Sequence, residues 1–270
     1  MPEELSSEQH KSDLAGDYDA GATAYDTYWG PAITPLAVGF LENLRLSETK
    51  SILDVGAGSG STLRYLLRAT DATIIGVDRS RGMLTLAPTS ALRAVMDAER
   101  LGFKQGFFDL AVAMFVLFHL PDPLIGLREI RRALKDGGTI AFTTWGDADP
   151  DFRGFDVFDD VLDRHGAAEG TGLYARYELS DTADKCALLL EQSGFEVSGI
   201  RAERMAHEWT VDHLIGYRTQ VGYGRVRWES LAPDARSGVL EELRVALTEL
   251  APGELIERDE VIYSVGEATR

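Results

Sequence analysis

Apolar side chains at Ile33, Leu36, Ala37, Phe40, Leu41 and Leu44 return at helical spacing and predict an amphipathic helix over residues 31–46. The period then changes. Residues 51–55 are a short apolar run that reads as a buried strand, Gly56-Ala57-Gly58-Ser59-Gly60 makes a glycine turn, and Leu63, Leu66 and Leu67 mark the helix behind it. Residues 73–77 predict a second strand ending at Asp78, and residues 80–87 the next helix. The continuous apolar run 109–115 suits a central strand covered on both faces. An amphipathic helix over 121–134, closed by Lys135-Asp136-Gly137-Gly138, and a strand over 139–145 come next. A helix over 181–192 ended by Gly194 and a strand over 195–201 continue the series. This alternation predicts a doubly wound, mostly parallel α/β sheet. Residues 17–29, rich in Asp, Tyr, Gly and Ala, show no clear period, and the polar stretch 146–179 is expected to be partly helical. Helices over 211–223 and 233–250 precede a final strand near 261–265, so they read as an insertion between the last two strands.

Composition narrows the function. The 270 residues carry 27 Lys and Arg against 44 Asp and Glu, a formal net charge of −17. Such a surface repels phosphate backbones, and no basic run offsets it, which argues against nucleic acid as a partner. The single cysteine, Cys186, excludes an internal disulfide and a multi-cysteine metal site and suits a reducing cytoplasm. Residues 1–16 lack the basic and apolar parts of a targeting segment, and no apolar run approaches the roughly 20 residues of a membrane span. The five histidines are scattered, and His207 and His213 lack the spacing of a helical ligand pair, so no metal is expected.

The candidate chemistry starts at the glycine turn, where missing Cβ atoms and positive φ let the backbone approach a ligand. Gly-x-Gly-x-Gly is not the dinucleotide fingerprint, since positions 61 and 62 are Ser and Thr, and alone it is equally a tight turn without a ligand. Asp78, 18 residues beyond Gly60, either accepts both ribose hydroxyls of a nucleoside or caps the next helix. Asp97, in the segment Asp97-Ala98-Glu99-Arg100-Leu101-Gly102-Phe103, either accepts an adenine amino group or is a solvated loop acid.

Together these elements resemble the class I S-adenosylmethionine-dependent methyltransferases, particularly the small-molecule group that includes the ubiquinone and menaquinone C-methyltransferases. The resemblance spans about residues 18–145. Ile52-Leu53-Asp54-Val55-Gly56-Ala57-Gly58-Ser59-Gly60 is similar to the family's first motif. The segment at 97–103 is similar to its Asp-Ala-x-x-Leu-Pro-Phe, with Gly102 in place of proline. Phe108-Asp109-Leu110, His119-Leu120-Pro121-Asp122-Pro123 and residues 128–138 match later segments. The resemblance implies a seven-stranded Rossmann-like sheet, S-adenosylmethionine as cofactor and S-adenosylhomocysteine as product. It implies that Gly56, Gly58 and Gly60 shape the loop around the methionine portion, that Asp54 helps hold its amino group, and that Asp78, with Arg79 beside it, grips the ribose. Met83 would lie near the adenine, Asp97 with Ala98 would bind it, and Met114 would offer its carbonyl beside the sulfonium. Tyr18 and Tyr25 sit in a segment similar to one that folds over the cofactor in this group, plain core packing being the other reading.

Methyl transfer needs alignment, exclusion of water and, for some acceptors, a base. His119, just beyond the strand carrying Met114, is the candidate, the alternative being a structural loop histidine. Tyr28, Trp29, Phe118, Trp145, Trp209, Tyr217 and Tyr223 are candidates to wrap an apolar or aromatic acceptor; equally, the lid aromatics make the lid's own small core or a dimer contact. The expected organisation is an N-terminal helical cap (1–46), a cofactor-binding core (47–205), a helical lid insertion (206–252) and the last core strand (253–270). The expected activity is methylation, at oxygen, carbon or nitrogen, of a small apolar or aromatic molecule of the secondary-metabolite kind by a monomer or homodimer. The rivals are a cofactor-retaining enzyme catalysing cyclisation or decarboxylation, a non-enzymatic binding module and, more weakly, an oxidoreductase.

Overall fold

A computed structural model describes residues 6–169 and 176–269; residues 1–5 of the expected cap and 170–175 of the polar stretch lie outside the described residues. The chain opens with α1 (Ser7–Ala24), runs through a π-helical turn at Tyr25–Trp29 and continues as α2 (Gly30–Leu41). The core then alternates β1 (Ser51–Val55), α3 (Ser61–Ala69), β2 (Thr73–Asp78), α4 (Arg81–Leu86), β3 (Leu92–Val95), β4 (Phe108–Met114), α5 (Pro123–Ala133) and β5 (Leu134–Trp145). After α6 (Gly154–Arg164), α7 (Ala183–Gln192) and β6 (Phe195–Arg204) come the short β7 (His207–Glu208), the helices α8 (Val211–Gln220), α9 (Gly222–Ser230) and α10 (Arg236–Thr248), the short β8 (Ile256–Glu257) and β9 (Glu260–Ala268).

The main sheet has seven strands in the order β3-β2-β1-β4-β5-β9-β6, parallel except for β9, which is antiparallel to both neighbours. Strand order reverses between β1 and β4, and a crevice at the carboxyl ends of such strands is where open α/β sheets bind ligands. Both faces of the sheet are covered. Ile52, Leu110 and Val112 pack on one side with Phe40, Leu63 and Leu66, while Leu53, Ala111 and Ala113 pack on the other with Leu127, Ile130 and Leu190. Each fully buried leucine or phenylalanine here contributes about 1.5–3 kcal/mol relative to exposure. A third cluster, with Phe158, Trp209, Leu214, Leu243 and Leu247 at its centre, holds α6 against α8 and α10, so a helix from the polar stretch before α7 joins the lid helices.

The structure departs from the sequence reading in four places. The helix expected over 31–46 is the second part of a helical run that starts at Ser7 and ends at Leu41. α1 showed no apolar period because Leu14, Gly21 and Ala22 alone are buried in it. The edge strand β3 gave no signal for a similar reason: Leu92 and Val95 face outwards. Residues 135–138, expected to end a helix, form a bulge within β5, where Phe108 pairs with Leu134 but Leu110 with Thr139, and Gly137 has φ +74°. The helix expected over 211–223 breaks at Val221, whose backbone is extended, into α8 and α9.

Candidate functional site

Buried along its length, β1 delivers the chain to a loop that glycine alone can make in two places. Gly56 and Gly60 have φ +69° and +86°; a Cβ at 56 would lie 2.2 Å from a Val116 methyl, and one at 60 would lie 2.7 Å from Ala87 Cβ and Pro88 Cδ. The amides of Gly56 and Ala57 both donate to the Val77 carbonyl at the end of β2. Next to it, Asp78 accepts from the Gly58 amide through one oxygen and from the Ser80 amide through the other, each at 2.8 Å. Ser80 caps α4, its hydroxyl accepting from the Met83 amide at 3.0 Å, so the cap is not Asp78. Burial raises the Asp78 pKa, while the amides of Ser80, Gly58 and Arg79 work against that rise.

Over this loop lies a cavity whose wall brings together Gly56, Gly58, Asp78, Arg79, Met83, Asp97, Ala98, Met114, Tyr18, Tyr25 and His119. Asp54 and Gly60 are not on the wall. Asp54 is almost wholly buried, its Oδ2 has no hydrogen-bond partner among the described residues, and burial, helped by Asp78, pushes its carboxyl well above the usual range. An orphaned carboxylate oxygen behind a glycine loop fits a cationic amino group, which relieves both burial and the missing bond. The residues therefore suit the methionine and nucleoside ends of S-adenosylmethionine. Among the described residues no group of three or more His, Cys, Asp and Glu could hold a metal.

Two wall residues with charge or strain, Lys11 and Phe115, gave no sequence signal. Lys11 reaches in from α1 and donates to Asp97 at 2.7 Å and to Glu99 at 2.8 Å. Arg79 donates to Asp97 at 2.6 Å and pairs with Glu8. Burial opposes ionisation of Asp97, but the Lys11 bond, the Glu99 amide and the two cations prevail and hold its pKa below the usual value. α1 is pinned again where Asp19 accepts from the Gly82 amide at 2.7 Å and the Ser80 hydroxyl at 2.6 Å. Phe115 also lines the cavity, held at φ +58° with its amide donating to Thr143. A non-glycine residue in that region stores strain, a common feature of functional sites.

Also on the wall, the Tyr18 hydroxyl lies 2.9 Å from His119 Nε2, with the two rings edge to face. Burial raises the Tyr18 pKa well above its ordinary value, so the phenol keeps its proton. In the tautomer that leaves Nε2 bare, Tyr18 donates to it.

The acceptor candidates do not line this cavity. Trp29 stacks on Tyr217 at 4.9 Å and on Trp209 at 5.8 Å, Trp209 stacks on Tyr217, and Trp145 lies 6.0 Å from Trp29. This slab meets the cavity wall through Phe115, 4.7 Å from Trp145. Phe118 packs between His119 and Tyr177. Tyr28 lies against Gly216 and His213 in a separate groove, and Tyr223 is partly exposed beside Arg218 and Arg227.

Residues 53–142 match a family model described as a methyltransferase domain. A malonyl-[acyl-carrier protein] O-methyltransferase of Geobacter sulfurreducens is 36% identical over 140 residues, covering 49% of this chain and 50% of that protein. Aklanonic acid methyltransferase DauC of Streptomyces sp. is 27% identical over 145 residues, covering 50% and 66%. The chain thus spans about half to two thirds of the length of these curated relatives. Among solved structures, the [4+2]-cyclase SpnF shares the fold at TM-score 0.59 and 17% identity, with 98% of this chain and 97% of that one covered. No described helix is long and apolar enough to cross a membrane. Family match, sheet order and glycine loop agree: the chain carries a class I S-adenosylmethionine-dependent methyltransferase domain.

Proposed function

We propose that this protein transfers a methyl group from S-adenosylmethionine to a small apolar or aromatic metabolite. The observation that carries this reading is one cavity whose wall brings together the glycine loop, Asp78, Asp97 and the Tyr18–His119 pair. Asp54 and the loop would hold the amino-acid end of the cofactor, Asp78 the ribose, Met83 and Asp97 the adenine. When bound, the cofactor supplies an electrophilic methyl carbon. The chain's own part is to align an acceptor, exclude water and take a proton. Because Nε2 of His119 already faces Tyr18, an acceptor hydroxyl would pass its proton to the Tyr18 oxygen as the Tyr18 proton moves to His119. The aromatic slab behind Phe115 and the relation to DauC support an apolar or aromatic acceptor, which would part these rings on entry.

Calorimetric titration tests the cofactor: S-adenosylmethionine and S-adenosylhomocysteine should bind at micromolar concentration and NADH should not. Failure of both to bind would overturn the reading. With a methylated acceptor in hand, His119→Ala should lower turnover by about 10²–10⁴-fold with cofactor affinity retained. The fold shared with SpnF over nearly the whole chain supports a second reading, a cofactor-retaining enzyme with a non-methylating step. Release of S-adenosylhomocysteine in step with product separates the two.

A further inference from the structure

Three stretches of chain join the sheet to the lid helices and meet at one point: residues 146–153 leading to α6, residues 205–210 leading to α8, and residues 249–260 returning from α10. There β7 and β8 pair, with His207 opposite Glu257. Gly146 donates to the Glu260 carbonyl, Glu260 to that of Asp147, Met205 to that of Asp259, and Trp209 to that of Leu255. Carboxylates occupy the junction. Glu257, 3% exposed, accepts from the Trp209 indole Nε1 at 2.8 Å and hydrogen-bonds to the Asp259 carboxyl. Asp259 accepts from the Asp149 amide at 2.6 Å, and Asp149 accepts from the Arg258 amide at 2.9 Å.

We propose that this neck is a proton-operated latch: Glu257 and Asp259 share a proton while the lid is seated, and losing that proton loosens the lid from the sheet. A buried carboxyl and a half-buried one in contact cannot both ionise cheaply. The surrounding charges do not rescue them. Arg258 lies 3.8 Å from Asp149, Arg204 favours ionisation of Asp259, and Asp149 adds negative charge to both acids. His207, across the ladder, has its pKa lowered by burial and by His213, and its Nε2 has no hydrogen-bond partner among the described residues, so it offers no cation to Glu257. Tyr177 and Tyr217 also face the pair and stay protonated, burial raising both. Burial first, then Asp259, push Glu257 up to about 8. The consequence reaches the rings, because the indole that donates to Glu257 stacks on Tyr217 and Trp29.

The sign follows from linkage. An open neck returns Glu257 to the ordinary carboxylate range, so seating the lid takes up a proton. The seated form is favoured fully at low pH, loses ground by up to about tenfold per pH unit as pH rises towards 8, and levels off above it.

Hydrogen exchange by mass spectrometry on the full chain, from pH 6 to 8.5 and normalised to intrinsic exchange at each pH, reads the latch directly. Peptides over 205–217 and 250–260 should open more often by about tenfold between pH 6.5 and 7.5, while a core peptide over 108–118 does not change. In Glu257→Gln, which keeps an acceptor for Trp209 and a donor for Asp259, the lid peptides should be independent of pH. Should that variant not fold, Asp259→Asn should move the transition to lower pH. Lid peptides that are flat in the wild type, or a wild-type slope that persists at its original pH in the folded variant, would overturn the latch. The experiment needs neither cofactor nor acceptor, so it stands apart from the proposed activity.

Discussion

The loop end of the cavity and the lid are both dense in residues that chemistry could use, yet they are built in opposite ways. Around the glycine loop, Asp78 and Asp97 line a cavity, Asp54 keeps an unpartnered buried oxygen behind it, and glycine is required by backbone geometry. In the lid, Trp209 and Tyr217 stack on each other and on Trp29. Trp209, 2% exposed, sits in an apolar cluster with its indole N–H satisfied by Glu257. Two buried arginines there are likewise spent internally, Arg218 and Arg227 converging on Asp159. The difference lies in what is left over: beside the glycine loop it is an acid, Asp54, that suits a cationic ligand group, whereas in the lid the charged groups pair mostly with one another and only ring and guanidinium nitrogens of His207, Arg218 and Arg225 go without a partner among the described residues.

Substitutions should divide along that line. The largest effect is expected from Trp209→Ala, which removes a buried ring from the slab and leaves Glu257 without its donor. It should cost about 3–5 kcal/mol of stability in urea unfolding, with the affinity of the folded protein for S-adenosylhomocysteine unchanged. An unaltered unfolding midpoint would show that the slab is not the lid's core. Asp78→Ala should do the reverse, weakening S-adenosylhomocysteine binding by about 1.5–3 kcal/mol through lost charge-assisted hydrogen bonds. Calorimetry checks it, and an unchanged dissociation constant would remove Asp78 from the binding set.

The same division decided what could be read from sequence. The sheet was legible because β1, β4 and most of β5 are buried runs, and buried runs print themselves as apolar residues. The glycine loop was legible because positive φ and close approach leave glycine no substitute. α1 was not legible, since what fixes it is a set of distant partners: Arg79 for Glu8, Asp97 and Glu99 for Lys11, Arg225 for Asp17, and Ser80 with Gly82 for Asp19. No local period announces ion pairs made 70 or more residues away. The lid aromatics were visible as residues but not as contacts, because helical spacing reads the same whether a ring faces a ligand or another ring.

Lys11→Met sharpens the contrast at the border between the two kinds of structure, where α1 contributes charge to the cavity. Removing the ammonium leaves two carboxylates close together with Arg79 as the remaining cation on Asp97, and about 1–2 kcal/mol of cofactor affinity should go with it. Acid should mimic the substitution. The folded Asp97 pKa lies below the ordinary value, so the stability it contributes is present above the unfolded value of 3.8 and is lost as pH falls through the folded one. A wild-type protein whose α1 peptides gain no hydrogen exchange below pH 4, or a Lys11→Met variant with undiminished affinity, would separate α1 from the cofactor site.

The smallest effect belongs to Tyr223, and it tests the contrast from the side of the acceptor. Its ring is 37% exposed and lies 5.8 Å from the guanidinium carbons of both Arg218 and Arg227, while Phe155 and Phe158 face Arg218 from other sides. A cation–π contact at such a site is worth about 0.5–1 kcal/mol. Tyr223→Leu keeps most of the apolar surface and removes the aromatic face, so urea unfolding should shift by no more than that amount, and KM for a methylated acceptor should not move. A several-fold rise in KM with unchanged stability would mean that the acceptor reaches the outer face of α9. The division between a ligand-facing loop end and a lid packed on itself would then fail at that residue.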